Sequence, residues 1–254
     1  MTRRGIRLAL VLTLLAVALG PAAVARATTS RARLPDLAML PPFNFHIERS
    51  DTDRKLLRFS TVSVNVGEGP FRIYGSAMDG HADIGEILGV VQWIKHEDGS
   101  WTERETTAHM TWSGDGHDHW HVIDYQRFKL VNVDDKVLGN VAKTGFCAFD
   151  SWPYTSFKPT WFDADRSVCQ TNAGGKVLMG HSKGWGDIYR WNIAFQWIDI
   201  SDLPDGTYKV RVVADPPFAT GGRFKESDDT NNRAWTKIRI DGQRVDVIAK
   251  SRLP

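Results

Sequence analysis

Short runs of strand-forming residues, separated by turn signals, recur along most of this sequence. Val62, Val64 and Val66 alternate with polar residues, which is the period-two pattern of a strand. No stretch after the N-terminal apolar run shows a sustained apolar repeat of about 3.6 residues bounded by helix caps. The sequence therefore predicts an all-β fold, most simply a sandwich. Further strands are predicted at Val90–Lys95, Trp101–Thr107, Val122–Val133, Ile193–Ile200, Tyr208–Ala214 and Trp235–Ile240.

Two segments lack this pattern and are rich in Gly, Asp and aromatic residues. They cover residues 75–87 and 149–189. Long irregular loops in a compact β domain are often functional. We therefore expect them to contribute to an active site.

The N-terminal segment has the order of a secretory signal. Arg3, Arg4 and Arg7 precede an apolar run over Leu8–Leu19, and small residues end at Ala27. The run is too short to span a bilayer. The sequence predicts a signal peptide at 1–27, a polar leader at 28–33 and one catalytic domain at 34–254, secreted without a membrane anchor. Arg3-Arg4 also has a twin-arginine character, so both the Sec and the Tat export routes stay open.

The net charge changes when that segment is set aside. The chain has 32 basic and 30 acidic residues, and residues 1–27 carry four of the basic residues and no acidic one, which leaves 28 basic residues and a net charge of −2. We infer that no Lys/Arg cluster remains to form a stripe that could bind successive phosphates. We therefore do not expect nucleic-acid binding.

The chain contains two cysteines, Cys147 and Cys169. In an oxidising compartment an even pair usually forms a disulfide. Two buried free thiols are the alternative.

Three alternating histidines, His117, His119 and His121, indicate a metal site. Residues i, i+2 and i+4 of an extended strand project from the same face. Because the outer pair lie about 13 Å apart along a regular strand, the third imidazole needs a bend, which the upstream glycines Gly114 and Gly116 permit. Imidazole binds Zn(II), Cu(II), Fe and Ni, with copper or zinc favoured here. A solvated histidine-rich loop, or histidines that hydrogen-bond the core, is the alternative.

Several ordered motifs together resemble the lysyl oxidase family, over most of residues 34–240. They are His117-Asp118-His119-Trp120-His121, Lys143-Thr144-Gly145-Phe146-Cys147, the segment 180–189 with its Gly-x-Ser-x-Gly-x-x-Asp-x-Tyr pattern, and Gln196-Trp197-Ile198-Asp199-Ile200. The resemblance implies that the three histidines bind Cu(II). It also implies that Lys143 and Tyr189 are the precursors of lysine tyrosylquinone, a cofactor made from the chain itself.

The same resemblance implies how this cofactor would form. Copper and dioxygen would oxidise the Tyr189 phenol to a quinone, to which the neutral amine of Lys143 adds. Asp187 and His181 lie nearest to Tyr189 in the sequence and are candidate bases. His181 stands where the family usually has an apolar residue, so a supplementary ligand, a proton shuttle and a neutral replacement all stay open. Taken singly, Lys143 is more typical of a solvated lysine at a strand end, and Tyr189 of a core or surface tyrosine. The shared motifs reverse that interpretation.

A second resemblance concerns a calcium site of the same family. It implies ligands from Asp36, the Leu37 carbonyl, Glu226, Asp228, Asn231 and the Asn232 carbonyl. Hard oxygen ligands suit Ca(II). Similar motifs recur in immunoglobulin-like bacterial adhesion domains, which favours an immunoglobulin-like form of the sandwich. A simple polar turn at 229–232 is the alternative.

The family resemblance implies oxidative deamination of a primary amine, either a small amine or a lysine side chain of a protein. Dioxygen would be the acceptor, and aldehyde, ammonia and hydrogen peroxide the products. Two other classes keep the histidines. One is a non-catalytic copper-binding or adhesion module, and the other is a three-histidine zinc hydrolase.

Overall fold

The computed structural model of the protein describes residues 30–77, 80–113, 118–158, 168–216 and 222–254. The strands in these ranges, in chain order, are β1 Ala32–Arg33, β2 Leu37–Met39, β3 Phe43–Arg49, β4 Lys55–Asn65, β5 Phe71–Ser76, β6 Ile87–His96, β7 Trp101–Trp112, β8 Trp120–Ile123, β9 Gln126–Val131, β10 Val137–Asn140, β11 Gly145–Phe146, β12 Trp152–Pro153, β13 Val177–His181, β14 Trp185–Tyr189, β15 Trp197–Asp199, β16 Gly206–Ala214, β17 Arg233–Asp241 and β18 Arg244–Lys250. Within these ranges no helix is long and apolar enough to cross a membrane.

The strands form three sheets in the described part of the chain. The largest has the order β11-β8-β7-β6-β5-β13, with β1 paired to β6. The second has the order β10-β9-β16-β17-β18, and the third the order β12-β14-β4-β15, with β2 and β3 also on β4. All pairings between these strands are antiparallel. The all-β prediction is confirmed, whereas the immunoglobulin-like sandwich is not.

Strand β4 is buried along nearly its whole length, and its two faces differ in chemistry. Val62 and Val64 pack in a small apolar cluster with Ala38. Ser63 and Asn65, on the opposite face, are buried polar residues. Successive side chains of a strand point to opposite sides, so the alternating sequence separates an apolar layer from a polar one. The polar side becomes part of the candidate site described below.

The predicted strands differ from the observed ones at informative places. The strand expected over Val122–Val133 is broken at Asp124, which has a φ of 54°, and this turn separates β8 from β9. The segment 149–189, expected to be irregular, contains β12, β13 and β14. These strands pair with β14, β5 and β4 respectively. Their short length hides them from a periodicity argument, because pairing with distant strands decides their conformation.

Candidate active site

Two of the three predicted metal-binding histidines lie side by side. His121 is on β8 and His119 directly precedes that strand, and their Nε2 atoms are 3.0 Å apart. Trp120, between them in the sequence, points the other way, is fully buried and packs edge-on against Trp112. The period-two geometry thus places both imidazoles on the face opposite Trp120, where His121 is 5% exposed. His117 lies outside the described residues.

The separation of the two nitrogens fits ligands of a single ion. Nitrogen ligands about 2.0–2.1 Å from a metal stand about 2.9 Å apart when they bind at right angles. The observed distance between His119 and His121 is 3.0 Å, and tetragonal coordination by nitrogen is typical of Cu(II). Among the described residues, no group of three His, Cys, Asp or Glu side chains could hold a metal ion, so His119 and His121 alone represent the predicted three-histidine site in this part of the chain.

A glycine on the neighbouring strand makes room for His121. Gly145 is on β11, which pairs with β8. A Cβ atom added to Gly145 would lie 2.7 Å from the His121 Nδ1 atom. The His121 imidazole therefore occupies the space that a side chain at position 145 would need. The absence of a side chain at Gly145 allows the ring to lie there.

A buried ion pair supports the turn that follows the histidine strand. Arg223 donates from Nη1 to the Ile123 carbonyl over 2.6 Å and from Nη2 to the Asp124 carbonyl. Its Nε lies 3.5 Å from Asp215, whose carboxylate also accepts the backbone N–H groups of Arg223 and Phe224. Burial raises the pKa of Asp215 and lowers the pKa of Arg223. Because the guanidinium satisfies two carbonyls and a carboxylate at once, it holds the end of β8 in place.

Lys143 and Tyr189 approach each other in the interior. Lys143 is 4% exposed, and its Nζ lies 6.0 Å from the centre of the Tyr189 ring and 5.6 Å from the centre of the Phe146 ring. The Lys143 backbone N–H donates to the Phe195 carbonyl over 3.0 Å. The two side chains, which are 46 positions apart in the sequence, therefore share one buried volume.

The disulfide also belongs to this volume. Cys147 and Cys169 are bonded, which confirms the predicted pairing. The Cys147 carbonyl accepts the Tyr189 hydroxyl over 2.7 Å, and the Cys169 carbonyl accepts the Trp120 N–H over 2.8 Å. The bridge thus links the tyrosine to the strand of the histidines.

Asp187 lies two residues before Tyr189 on β14 and is fully buried. Its carboxylate accepts a hydrogen bond from Ser151, and burial raises the pKa of Asp187 to about 7. Burial also raises the pKa of the Tyr189 phenol well above its usual value, and the Asp187 charge adds to that effect. A carboxyl group that titrates near neutrality can accept or donate a proton at physiological pH.

His181 lies in a buried polar cluster. Its Nε2 is 2.9 Å from the Tyr125 hydroxyl and 3.5 Å from Ser63 Oγ. Gln126 also donates to Ser63, over 3.0 Å. Burial lowers the pKa of His181 to about 3, so the ring is neutral at pH 7. Its Nε2 is thus within hydrogen-bonding distance of two hydroxyl groups.

A surface pocket lies beside His121 and Lys143. It has a volume of about 350 Å³. The residues that line it include Trp112, His121, Lys143, Gly145 and Phe195. Phe195 is 45% exposed at this surface and has a φ of 58°. One of the predicted metal-binding histidines and the candidate cofactor lysine therefore line the same cavity.

The predicted calcium ligands are also neighbours. Protein donors bind each of their carboxylates, whereas the buried Asn231 Oδ1 has no hydrogen-bond partner among the described residues. Asp36 accepts from Asn231 over 2.7 Å and from Ser227 over 3.0 Å. Glu226 accepts from the Leu37 N–H and, over 3.1 Å, from Asn232. The pKa of Glu226 is well above its usual value because the group is buried.

Asp228 accepts the N–H and the hydroxyl of Thr230. Since hydrogen bonds within the chain account for these carboxyl groups, the calcium site stays a prediction.

The sequence was compared with known proteins. The sequence model of the lysyl oxidase family matches residues 88–249, which is more than half of the chain. The chain belongs to the lysyl oxidase family. It is 28% identical over 193 residues to lysyl oxidase homolog 3A of Danio rerio and 29% identical over 193 residues to lysyl oxidase homolog 2 of Bos taurus. These alignments cover 76% of this chain but only 20% and 19% of the two relatives.

This lysyl oxidase family chain thus spans about a fifth of the length of the curated relatives it matches. Sequence reasoning missed several residues of its site, chiefly Tyr125, Ser151 and Arg223. None of them belongs to a motif with a known spacing. One signal was available, because Ser63 and Asn65 alternate with the valines of the predicted strand.

Proposed function

We propose that this chain is a copper-dependent amine oxidase. It would oxidise a primary amine with dioxygen and water to an aldehyde, ammonia and hydrogen peroxide. His117, His119 and His121 would hold the copper ion, and Lys143 and Tyr189 would form lysine tyrosylquinone, which supplies the electron sink for amine oxidation. One observation carries the proposal: the Lys143 Nζ lies 6.0 Å from the Tyr189 ring while Lys143 and His121 line the same pocket.

The surroundings of the pair suit cofactor formation. The Tyr189 ring is fixed by an edge-on contact with Phe146 at 5.0 Å and by its hydrogen bond to the Cys147 carbonyl. The flexible partner is the lysine, whose long side chain can cover the remaining distance by rotamer changes. Because the ring is fixed and the amine is not, we propose that Lys143 moves to Tyr189.

Asp187 is the proposed base for the amine α-proton. Its pKa of about 7 leaves a substantial fraction ionised at physiological pH, which suits a group that must both accept and release a proton. We propose no acid–base role for His181, because its pKa of about 3 and its contact with Tyr125 suit a neutral hydrogen-bonding residue.

The pocket favours an extended aliphatic amine. Trp112 and Phe195 provide apolar surface, and none of the described residues that line the pocket is a carboxylate. Burial of a methylene chain against these rings would contribute favourable binding free energy. The second ammonium group of a polyamine would find no carboxylate partner among the described residues of the pocket. We therefore propose a lysine side chain or a linear monoamine as substrate, in preference to a polyamine.

We further propose that residues 34–254 form one catalytic domain and that the protein is exported after removal of residues 1–27. The Cys147–Cys169 disulfide supports this proposal, because disulfides persist in oxidising compartments outside the cytosol.

The test is to load the purified protein with copper under air. We expect visible quinone absorption that shifts on reaction with a hydrazine, and peroxide release from a primary amine. Independently of activity, digestion should yield one crosslinked peptide that contains Lys143 and Tyr189. Lys143→Ala and Tyr189→Phe should abolish all of these signals, while the matched variants Lys176→Ala and Tyr208→Phe keep them.

Retention of amine oxidation by Lys143→Ala or Tyr189→Phe would rule out the proposed cofactor. Tight copper binding without a crosslink in the wild type would instead identify the non-catalytic copper-binding module. Hydrolysis of a substrate under anaerobic conditions with zinc would identify the hydrolase.

A further inference from the structure

Three adjacent strands build a basic face on the outside of the second sheet. Across β9, β16 and β17, Lys129 is opposite Arg211 and Arg211 is opposite Trp235. Directly opposed residues lie on the same face of a sheet. The neighbouring rows add Arg127 with Val213 and Arg233, and Lys209 with Lys237. The intervening side chains, such as Phe128 and Val210, point into the core.

Six cations thus share one surface, although no run of Lys and Arg exists in the sequence. The inference that no basic cluster remains after the N-terminal segment was wrong, because strand pairing brings together residues that are as much as 110 positions apart, such as Arg127 and Lys237. Neighbouring strands are about 5 Å apart and alternate residues about 7 Å apart. The cations therefore form a regular grid.

The described carboxylates neutralise only part of this charge. Asp135 lies 3.1 Å from Lys209 and 2.6 Å from Arg211, and Asp124 lies 3.4 Å from Arg127. No ion pair within the described ranges involves Lys129, Arg233 or Lys237. The face keeps an excess of positive charge, which attracts anions over distances of about a Debye length.

The shape of the face suits a polymer. Arg127, Lys129, Arg211, Arg233 and Trp235 line an open groove of about 460 Å³ that crosses the strands. A single small anion would contact one or two of the cations, whereas a chain with repeated anionic groups would contact several at once. Arg can also bind carboxylate or sulfate oxygens through two parallel hydrogen bonds.

The number of aromatic rings in the groove distinguishes between nucleic acids and polymers without bases as ligands. Single-stranded nucleic acids bind to surfaces where successive aromatic rings stack with successive bases. The described lining of this groove contains one such ring, Trp235, and the Lys209 ammonium lies 5.5 Å from the centre of that ring. A polymer that offers charged groups and sugar rings, without bases, fits better.

We propose that this basic face binds an acidic polysaccharide through its carboxylate or sulfate groups. The face shares no residue with the Lys143 pocket. Binding therefore neither requires copper nor depends on the proposed oxidase activity.

The proposal is tested by binding of the full chain to heparin, polygalacturonate, neutral dextran and single-stranded DNA. We expect both acidic polysaccharides to bind at low ionic strength, less tightly as salt is added, and dextran not to bind. The triple variant Lys129→Glu, Arg233→Glu and Lys237→Glu should lose at least about tenfold in apparent affinity. Heparin carries sulfate and carboxylate groups, whereas polygalacturonate carries carboxylates alone, so tighter binding of heparin would indicate a preference for sulfate.

The matched control is the triple variant Arg49→Glu, Lys176→Glu and Lys225→Glu, which changes the net charge by the same amount at exposed positions outside the second sheet. It should bind like the wild type. Near-UV circular dichroism verifies the fold, and glutamine at the three test positions replaces glutamate if the first variant does not fold.

Three results would overturn the proposal: wild-type protein that binds neither polysaccharide, equal losses in the test and control variants, or tighter binding of DNA than of both polysaccharides.

Discussion

Gly145→Ala tests the proposed copper site without altering any of the proposed ligands. The new Cβ would lie 2.7 Å from His121 Nδ1 and 2.9 Å from His121 Cβ. Ordinary van der Waals contact begins near 3.4 Å, so the imidazole has to retreat by about 0.7 Å. Functional constellations tolerate displacements of about 0.5 Å. The ring would therefore leave the position at which its Nε2 is 3.0 Å from that of His119.

We expect the copper affinity of Gly145→Ala to fall about 10- to 100-fold, the range typical of changes next to metal ligands. The free energy of unfolding of the metal-free protein should fall by about 1–3 kcal/mol, as for overpacked sites. Copper affinity is measured by competition with a chelator, and stability by urea denaturation. Measuring affinity only where the variant is folded keeps the two effects apart.

Gly89→Ala provides the matched control. Gly89 is also on a strand of the largest sheet, and a Cβ atom there would have no neighbour within 4 Å. We expect unchanged copper affinity and a stability equal to or up to about 1 kcal/mol above that of the wild type. A folded Gly145→Ala protein that binds copper as tightly as the wild type would refute the reasoning, because His121 would then not be a ligand held by this packing.

Other regions give further predictions. The pKa of Asp187 is about 7 in the folded protein and near 3.8 unfolded, so its contribution to stability is fully present below pH 3.8 and is lost as the pH rises through 7. Asp187→Asn should therefore raise the free energy of unfolding at pH 8, by at most about 4 kcal/mol, and flatten its pH dependence; an unchanged urea profile between pH 4 and pH 8 would contradict this. Removing the disulfide by Cys147→Ser with Cys169→Ser should cost about 3 kcal/mol, because the bridge spans 22 positions; a thermal melt without change would show that it contributes nothing. Arg223→Leu should cost about 3–5 kcal/mol in urea unfolding, because it leaves Asp215 buried without its cation, and Asp215→Asn in the same chain should recover part of the loss.

Much of the fold class was predictable from local pattern. Alternating and β-branched runs predicted strands at β4, β6, β7, β16 and β17, since these are long enough to show a period. The short strands β11 to β14 were not predictable, because each has only two to five residues. Long-range pairing stabilises them, and a local pattern contains no information about it.

The candidate site also has features that local sequence predicts and features that it does not. The side-by-side placement of His119 and His121 follows from two-residue spacing, which is local geometry. The approach of Lys143 to Tyr189 follows from no local rule, and only the resemblance to a family suggested it. Ser151 and Tyr125 were missed, because their importance depends on being buried beside Asp187 and His181.

By itself the sequence determined that the chain is built of strands, that two histidines share a face, that its two cysteines can pair, and to which family it belongs. Only the tertiary structure decided which buried groups have shifted pKa values, why Gly145 has to be a glycine, and that scattered lysines and arginines form one basic face. The physical reason is the distance along the chain over which each interaction acts. Side-chain alternation acts between near neighbours in the chain, whereas burial, packing and charge act through space among residues that sheet pairing brings together.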